Sequence, residues 1–338
     1  MNRTYLLVAG LSLLGTVLLG VLLRWQLAGA PLLVWDFAQL RHAHMHLGYY
    51  GVLFPLLWWT LTLEGKPAPG LGWTGLYAAA VGLSTVGFAM QGYGPVSIAG
   101  STVVLVVWLV GAWQLRREVL AGGWLSGVPL AIALASAAIP AVAVMTQRDL
   151  ALANALVHAF LTLLLLGAFV PALFARLGLR PRPGWLALVL GAALFLGPLP
   201  HWSTAIATAL LGLGLGGLPW WGRARLDEKL LWTLCGLGLI GVAVGLVPNA
   251  PRTAVAGLHL LLLGPVLLGM GRGLTPRTWF WRLPYGLGVL ALSASVLESR
   301  MDVAAWSGSL VALCWGFAVL GRLLHQGSSQ KASRAPGA

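Results

Sequence analysis

The sequence predicts an all-α fold, a polytopic bundle of about 12 transmembrane helices with both termini in the cytoplasm. Hydrophobic residues make up 59% of the chain and charged residues only 9%, whereas soluble domains carry about 25% charge. Apolar runs of about 20 residues recur, the length that crosses a hydrocarbon core as a helix. Membrane lipid must therefore cover much of the surface, and the chain is expected in a bacterial-type inner membrane.

Twelve spans are predicted, and we number them in chain order. They cover approximately residues 5–23, 43–63, 71–91, 95–115, 125–146, 151–175, 185–201, 203–221, 230–248, 253–271, 283–298 and 303–324. Residues 1–324 thus form one transmembrane domain. Residues 325–338 are polar and rich in small residues, which predicts a short disordered cytoplasmic tail. No strong sequence repeat relates the spans.

The basic residues predict the direction of each span. Sixteen of the 21 Lys and Arg residues lie at the termini or in alternate connections, and the other connections hold only Arg24, Arg41, Arg148, Arg252 and Arg300. Cytoplasmic segments carry the excess of Lys and Arg, so the richer set is assigned to the cytoplasm. The net charge of +13 is therefore interpreted as a topology signal, and no nucleic-acid partner is expected.

Three histidines, His42, His44 and His46, begin span 2 at its outer end. In a helix His42 and His46 share a face and His44 lies roughly opposite. One site cannot take all three, so either His44 or His46 is expected to point inward as a buried ligand. Tyr49 and Tyr50 follow directly and are candidates to supply hydrogen bonds or protons.

Three further histidines, His158, His201 and His259, also fall on the outer side. His46, His158 and His259 lie about 8, 15 and 10 Å along their spans from the flanking outer arginines, at 1.5 Å per residue. His201 ends span 7, where a plain hydrogen-bonding role is an equal alternative. Ionisable groups inside a membrane are costly and mark function, and neutral imidazole suits haem iron, copper and zinc. A metal or haem site is therefore predicted.

Other polar or sulfur-bearing side chains are candidates to support that site. Asn154, His158 and Thr162 are four residues apart and form a stripe on one face of span 6. This stripe is expected to orient the imidazole by a hydrogen bond, although it could equally bond a neighbouring helix. Met45 lies between two histidines, and its thioether would favour Cu(I) or haem iron.

Several classes of function are disfavoured by missing motifs. The sequence has no CxxCH for covalent haem, no HExxH and no nucleotide-binding loop. None of the eight acidic residues lies at mid-membrane, which disfavours a proton-driven porter. Cys235 and Cys314 stand alone in apolar segments and are interpreted as packing residues.

Twelve spans with outer histidines on spans 2, 6, 7 and 10 resemble the haem–copper oxidase subunit I superfamily. In that family spans 2 and 10 supply haem ligands, and spans 6 and 7 supply copper ligands. The string His42-Ala43-His44-Met45-His46 also resembles the start of a helix in NnrS-type membrane haem and copper proteins of nitric-oxide metabolism. The resemblance rests on topology and about four short motifs.

The sequence departs from the oxidase pattern at three places. His259 is followed by Leu260 and Leu261 instead of forming an HxH pair, His201 stands without an adjacent histidine, and Thr162 replaces a tyrosine. The resemblance therefore implies a simpler site, with one b-type haem and possible copper. It implies redox or nitric-oxide chemistry near the periplasmic side, with a periplasmic electron donor or partner membrane subunits.

The residue roles implied by the resemblance form two sets. His44 or His46 with His259 would be the axial pair of the haem. His158, with His201 or His42, would bind the second metal.

Two alternatives stay open. The outer histidines and methionines could capture Cu(I) or another soft cation in a permease, with Pro55, Pro171 and Gly264-Pro265 interrupting helices at the binding site. The chain could also be a non-catalytic subunit of a respiratory complex whose histidines only donate and accept hydrogen bonds.

Overall fold

The described part of the computed structural model, residues 4–123, 125, 127–145, 148–181, 184–270 and 279–334, is helical and contains no strand. Twelve long helices follow one another. They are α1 (Thr4–Leu27), α2 (37–63), α3 (Leu71–Gln91), α4 (Pro95–Gln114), α5 (Gly127–Met145), α6 (Leu150–Arg176), α7 (Gly184–Leu196), α8 (Trp202–Trp221), α9 (Leu226–Ala243), α10 (251–270), α11 (Trp279–Leu297) and α12 (Met301–Arg334). A five-residue helix, Arg116–Leu120, lies between α4 and α5.

The long helices coincide in order with the predicted spans. Within the described residues, seven are long and apolar enough to cross a membrane: α1, α3, α4, α6, α8, α10 and α12. A multi-pass membrane protein is therefore supported, while the full count of twelve spans and the side of each terminus stay predictions. The last helix continues to Arg334, beyond the predicted boundary at residue 324, and the disorder of the tail also stays a prediction.

Ion pairs join helix ends that the charge pattern assigns to one side. Lys66, after α2, pairs with Glu118, after α4. At the start of α11, Arg282 binds Asp227 at 2.6 Å and Glu228 at 3.0 Å, both at the start of α9. All these positions belong to the predicted cytoplasmic side, so the contacts agree with the alternating direction of the spans.

Three helices, α2, α6 and α10, meet in the interior. The rings of Phe54 on α2 and Phe169 on α6 lie 5.3 Å apart. Gly269 on α10 packs so closely on Leu173 of α6 that a Cβ there would lie 2.5 Å from the leucine Cδ1. The other helices pack around these three. Around the outside, α4 contacts α5, α8 contacts α9, and α12 contacts α1.

Each of the three inner helices is interrupted by a π-helical segment, and in α10 this segment is kinked at Gly264, whose backbone angles are not helical. These segments are Leu47–Leu53 in α2, Leu165–Phe169 in α6 and Leu262–Val266 in α10. Pro55 and Pro171 follow the first two, and Pro265 lies within the third. Proline lacks an N–H, and its ring clashes with the carbonyl four residues earlier. A π-helical turn relieves that clash by widening the helix.

Each inner helix also turns a glycine of its π segment toward the preceding helix. A Cβ on Gly51 would lie 2.4 Å from the Ser12 hydroxyl of α1, and one on Gly167 would lie 2.7 Å from Ala131 Cβ of α5. Gly264 is nearest to a leucine of α9, at 3.6 Å. The pattern recurs every four helices, so α1–α4, α5–α8 and α9–α12 are three units of similar construction.

Candidate functional site

A cavity of about 370 Å³ lies between α1, α2 and α10, and residues of α11 and α12 complete its lining. Most of its wall is leucine and valine. Its polar or sulfur-bearing lining residues are Thr16, Arg24, Arg41, His44, Met45, Tyr49 and His259. One predicted haem ligand from α2 and one from α10 therefore line the same cavity.

His44 is held against α1 by a single hydrogen bond. Its Nδ1 lies 2.9 Å from the backbone carbonyl of Thr16. A carbonyl oxygen only accepts, so Nδ1 carries the proton and Nε2 keeps a free lone pair. Gly20 makes room for the ring, because a Cβ there would lie 2.9 Å from His44 Cε1. The close approach of α1 thus sets the position of this imidazole.

His259 is fixed in the same tautomer. Its Nδ1 donates to the carbonyl of Val255 at 2.7 Å, one turn earlier in α10. Its Nε2 accepts from Arg24 Nη2 at 3.0 Å. Arginine has only donors, so this contact confirms that Nε2 is unprotonated. The lone pair of His259 therefore faces a cation at the cavity wall.

His44 and His259 share one feature with histidines that bind metals. Histidine ligands commonly donate their second N–H to a carbonyl, which fixes the ring and raises its basicity, and both His44 and His259 do so. The volume falls within the range of about 300–1,000 Å³ typical of ligand pockets. Apolar walls with Arg24 and Arg41 suit a flat apolar group that carries carboxylates. For a metal to bind His259, Arg24 must leave Nε2.

The other two histidines of α2 face away from this cavity. His46 stacks on Phe88 of α3, with ring centroids 3.9 Å apart and planes 3° apart. His42 lies 4.7 Å from the Tyr93 ring. The predicted opposition of His44 to its two neighbours is therefore present in the fold, and His44 is the histidine of α2 that lines the cavity beside His259.

The residues predicted to support the site have different roles. Tyr49 and Met45 line the cavity. Tyr50 instead packs edge-on against Trp108, 5.3 Å away, and its carbonyl accepts from the Tyr77 hydroxyl at 2.6 Å.

The polar stripe on α6 does not form the expected hydrogen bond. Thr162 donates to the backbone carbonyl of His158 at 2.8 Å, not to its imidazole. Threonine commonly bonds the carbonyl four residues earlier in a helix. Asn154 is exposed and His158 only partly buried.

His201 is the N-cap of α8. It is exposed, its Nδ1 lies 3.0 Å from the Ser203 hydroxyl, and its backbone N–H donates to Thr204 Oγ1 at 2.9 Å. In the part of the chain that the structure describes, no three His, Cys, Asp or Glu side chains come together as a metal centre. His158, His201 and His42 thus do not form such a cluster with one another, and copper stays a prediction.

Sequence reasoning missed the contribution of α1. Arg24 was assigned only a topological role, and Thr16 and Gly20 carry no motif, because their contacts depend on how α1 is rotated. A weaker signal was available for the repeated construction. His42, Gly51 and Pro55 have the same spacing as His158, Gly167 and Pro171.

Comparisons of the chain with protein-family models, with curated proteins and with solved structures found no match. The candidate site therefore stands on its own geometry.

Proposed function

We propose that this chain is a multi-pass membrane protein that binds one b-type haem between α1, α2 and α10, with His44 and His259 as the axial ligands. The proposal also carries the predicted role in redox or nitric-oxide-related chemistry near the periplasmic side, with a periplasmic electron donor or membrane subunits as partners. The observation that supports it is that two histidines from distant helices line one cavity, each with Nδ1 bonded to a carbonyl.

Different residues of the cavity would bind different parts of the haem. His44 and His259 present neutral Nε2 atoms, and the leucine and valine walls exclude water. Arg24 and Arg41 provide the positive charge that carboxylate substituents need in an apolar site. A haem held by these two imidazoles would supply one-electron transfer.

The first test is the optical spectrum and iron content of the purified protein. We expect a Soret band with about one iron per chain. His44→Ala and His259→Ala should each lose the band, because each removes one of two ligands. His46→Ala is the matched control and should keep it, since His46 packs on Phe88 outside the cavity.

Other outcomes would point elsewhere. A pure, folded protein with neither Soret band nor iron after expression with added haem precursor would refute the haem proposal. Uptake of Cu(I) into proteoliposomes by such a protein would favour the permease, which the interruptions of α2, α6 and α10 by π segments also suit. A protein that shows neither haem binding nor Cu(I) uptake would favour the remaining alternative, a non-catalytic subunit of a respiratory complex.

A further inference from the structure

A second group of histidines lies on the opposite face of α2 from the cavity. His42 and His46 are one turn apart, with ring centroids separated by 6.4 Å and planes inclined by 33°. Phe88 stacks on His46 at 3.9 Å, and the Tyr93 ring lies 4.7 Å from His42 and 6.1 Å from His46. Two aromatic rings thus hold two imidazoles side by side near the outer end of α2.

The ring nitrogens of this pair differ from those of the other outer histidines. His44, His201 and His259 each have a hydrogen bond at Nδ1. For His42 and His46 the described residues provide only ring contacts, and no hydrogen-bond partner for an imidazole nitrogen. Both side chains are only partly buried, so these nitrogens are available to an added ligand.

We propose that His42 and His46 form a binding site for one divalent transition-metal ion, with water completing the coordination. Two histidines at positions i and i+4 place their rings on one helix face, the spacing used by zinc-binding helices. A bound ion would lie about 2.0–2.1 Å from each nitrogen. The ring centroids of His42 and His46 are 6.4 Å apart, which is near enough for one ion to bridge a nitrogen of each ring. The partly exposed His42 ring can rotate to bring its nitrogen closer to the ion.

The surroundings define the class of ion. Imidazole nitrogen suits Zn²⁺, Cu²⁺ and Ni²⁺, while Ca²⁺ and Mg²⁺ require oxygen ligands. The ring neighbours of the pair are Phe88, Tyr93 and Tyr50. His42 also lies within electrostatic range of Asp36 and Arg41, but one carboxylate does not supply the set of oxygen ligands that Ca²⁺ and Mg²⁺ require. Tyr93 is 58% exposed, so an ion has access from the outer side. This site is separate from the haem cavity and does not depend on a haem being bound.

Metal titration of the detergent-purified full chain, prepared without a histidine tag, tests the pair. Calorimetry with Zn²⁺ should give one site per chain. His42→Ala and His46→Ala should each weaken binding by more than the roughly tenfold loss typical of removing an outer-shell partner. Removing both histidines should weaken Zn²⁺ binding little further than removing one, because a single imidazole no longer chelates the ion. His325→Ala, in the C-terminal segment, is the control and should bind as the wild type does.

A spectroscopic measurement on the unaltered protein removes dependence on how the variants fold. Electron paramagnetic resonance of one added equivalent of Cu²⁺ should show coupling to two imidazole nitrogens, with the Soret region unchanged. Coupling to a single nitrogen, or Zn²⁺ affinity unchanged in both single variants, would overturn the proposal. In a chain without haem, Zn²⁺ binding that persists in His44→Ala but is weakened in His42→Ala would support this site even if the haem proposal failed.

Discussion

At the scale of single residues, the candidate site depends on the absence of a side chain at Gly20. The His44 ring occupies the space that a Cβ would take, at 2.9 Å, while its Nδ1 is bonded to Thr16. A Cβ at position 20 would therefore push the ring away from the position in which it makes this hydrogen bond. The same helix supplies Arg24, which occupies the lone pair of His259.

Gly20→Ala should accordingly lower haem occupancy without unfolding the protein. We expect a loss toward the lower end of the 10–100-fold range seen when ligand-orienting contacts are disturbed, measured as the Soret-to-protein absorbance ratio. Gly308→Ala is the matched control, because this glycine lines the same cavity and its added Cβ would have ordinary contact with Arg24 Cγ at 3.7 Å. Equal occupancy in the two variants would contradict the role given to Gly20.

The residue scale also shows where sequence reasoning reached its limit. The 100° turn per residue separated His44 from His42 and His46, and the fold has that separation. The spacing did not decide whether His44 or His46 faces the interior, because this depends on the rotation of α2 against α1 and α3. Thr162 could have been assigned correctly, since threonine bonding to the carbonyl one turn earlier is a local effect.

At the scale of helices, the π segments explain how α2, α6 and α10 differ from their neighbours. Each combines a proline with a glycine, and each glycine meets the helix that precedes it. The order of the long helices was predictable from the apolar runs, and seven of them are long and apolar enough to cross a membrane. The π segments were not, because a proline in a membrane helix predicts an interruption but not its form.

Gly167→Ala tests the packing of α6 against α5 at a contact whose partner side chain, Ala131, cannot move aside. The added methyl would lie 2.7 Å from Ala131 Cβ, and alanine has no rotamer with which to withdraw. We expect a loss of about 1–3 kcal/mol in stability, the usual cost of overpacking, seen as a lower midpoint of thermal unfolding in detergent.

Gly217→Ala provides the comparison for that variant. This α8 glycine has nothing within 4 Å of an added Cβ, so the change should be neutral or raise stability by up to about 1 kcal/mol through helix propensity. A Gly167→Ala protein at least as stable as Gly217→Ala would mean that α5 and α6 separate more easily than the close contact implies.

At the scale of the whole molecule, the contacts between helix ends agree with the side of the membrane that the charge pattern predicts for each end. Lys66 with Glu118, and Arg282 with the acidic start of α9, join ends assigned to the same side. The contact of Arg24 with His259 joins two ends on the other side. An odd number of crossings between the two partners of any of these contacts would place them on opposite faces of the membrane.

The predicted orientation can be tested with single introduced cysteines. Ala30, between α1 and α2, is assigned to the outside, and Ala121, between α4 and α5, to the cytoplasm; both are exposed. The two native cysteines, Cys235 and Cys314, are buried and should react little. In intact cells, a membrane-impermeant maleimide should label Ala30→Cys and spare Ala121→Cys, and both should react after permeabilisation.

The pattern of labelling separates the possible errors in the topology. Labelling of Ala121→Cys alone would reverse the orientation and place the cavity between α1, α2 and α10, together with the His42–His46 pair, near the cytoplasm. Labelling of both would mean that an even number of crossings separates residue 30 from residue 121, although the structure has three long helices, α2, α3 and α4, between them. Only the expected result keeps all six outer histidines on the face that a periplasmic electron donor can reach.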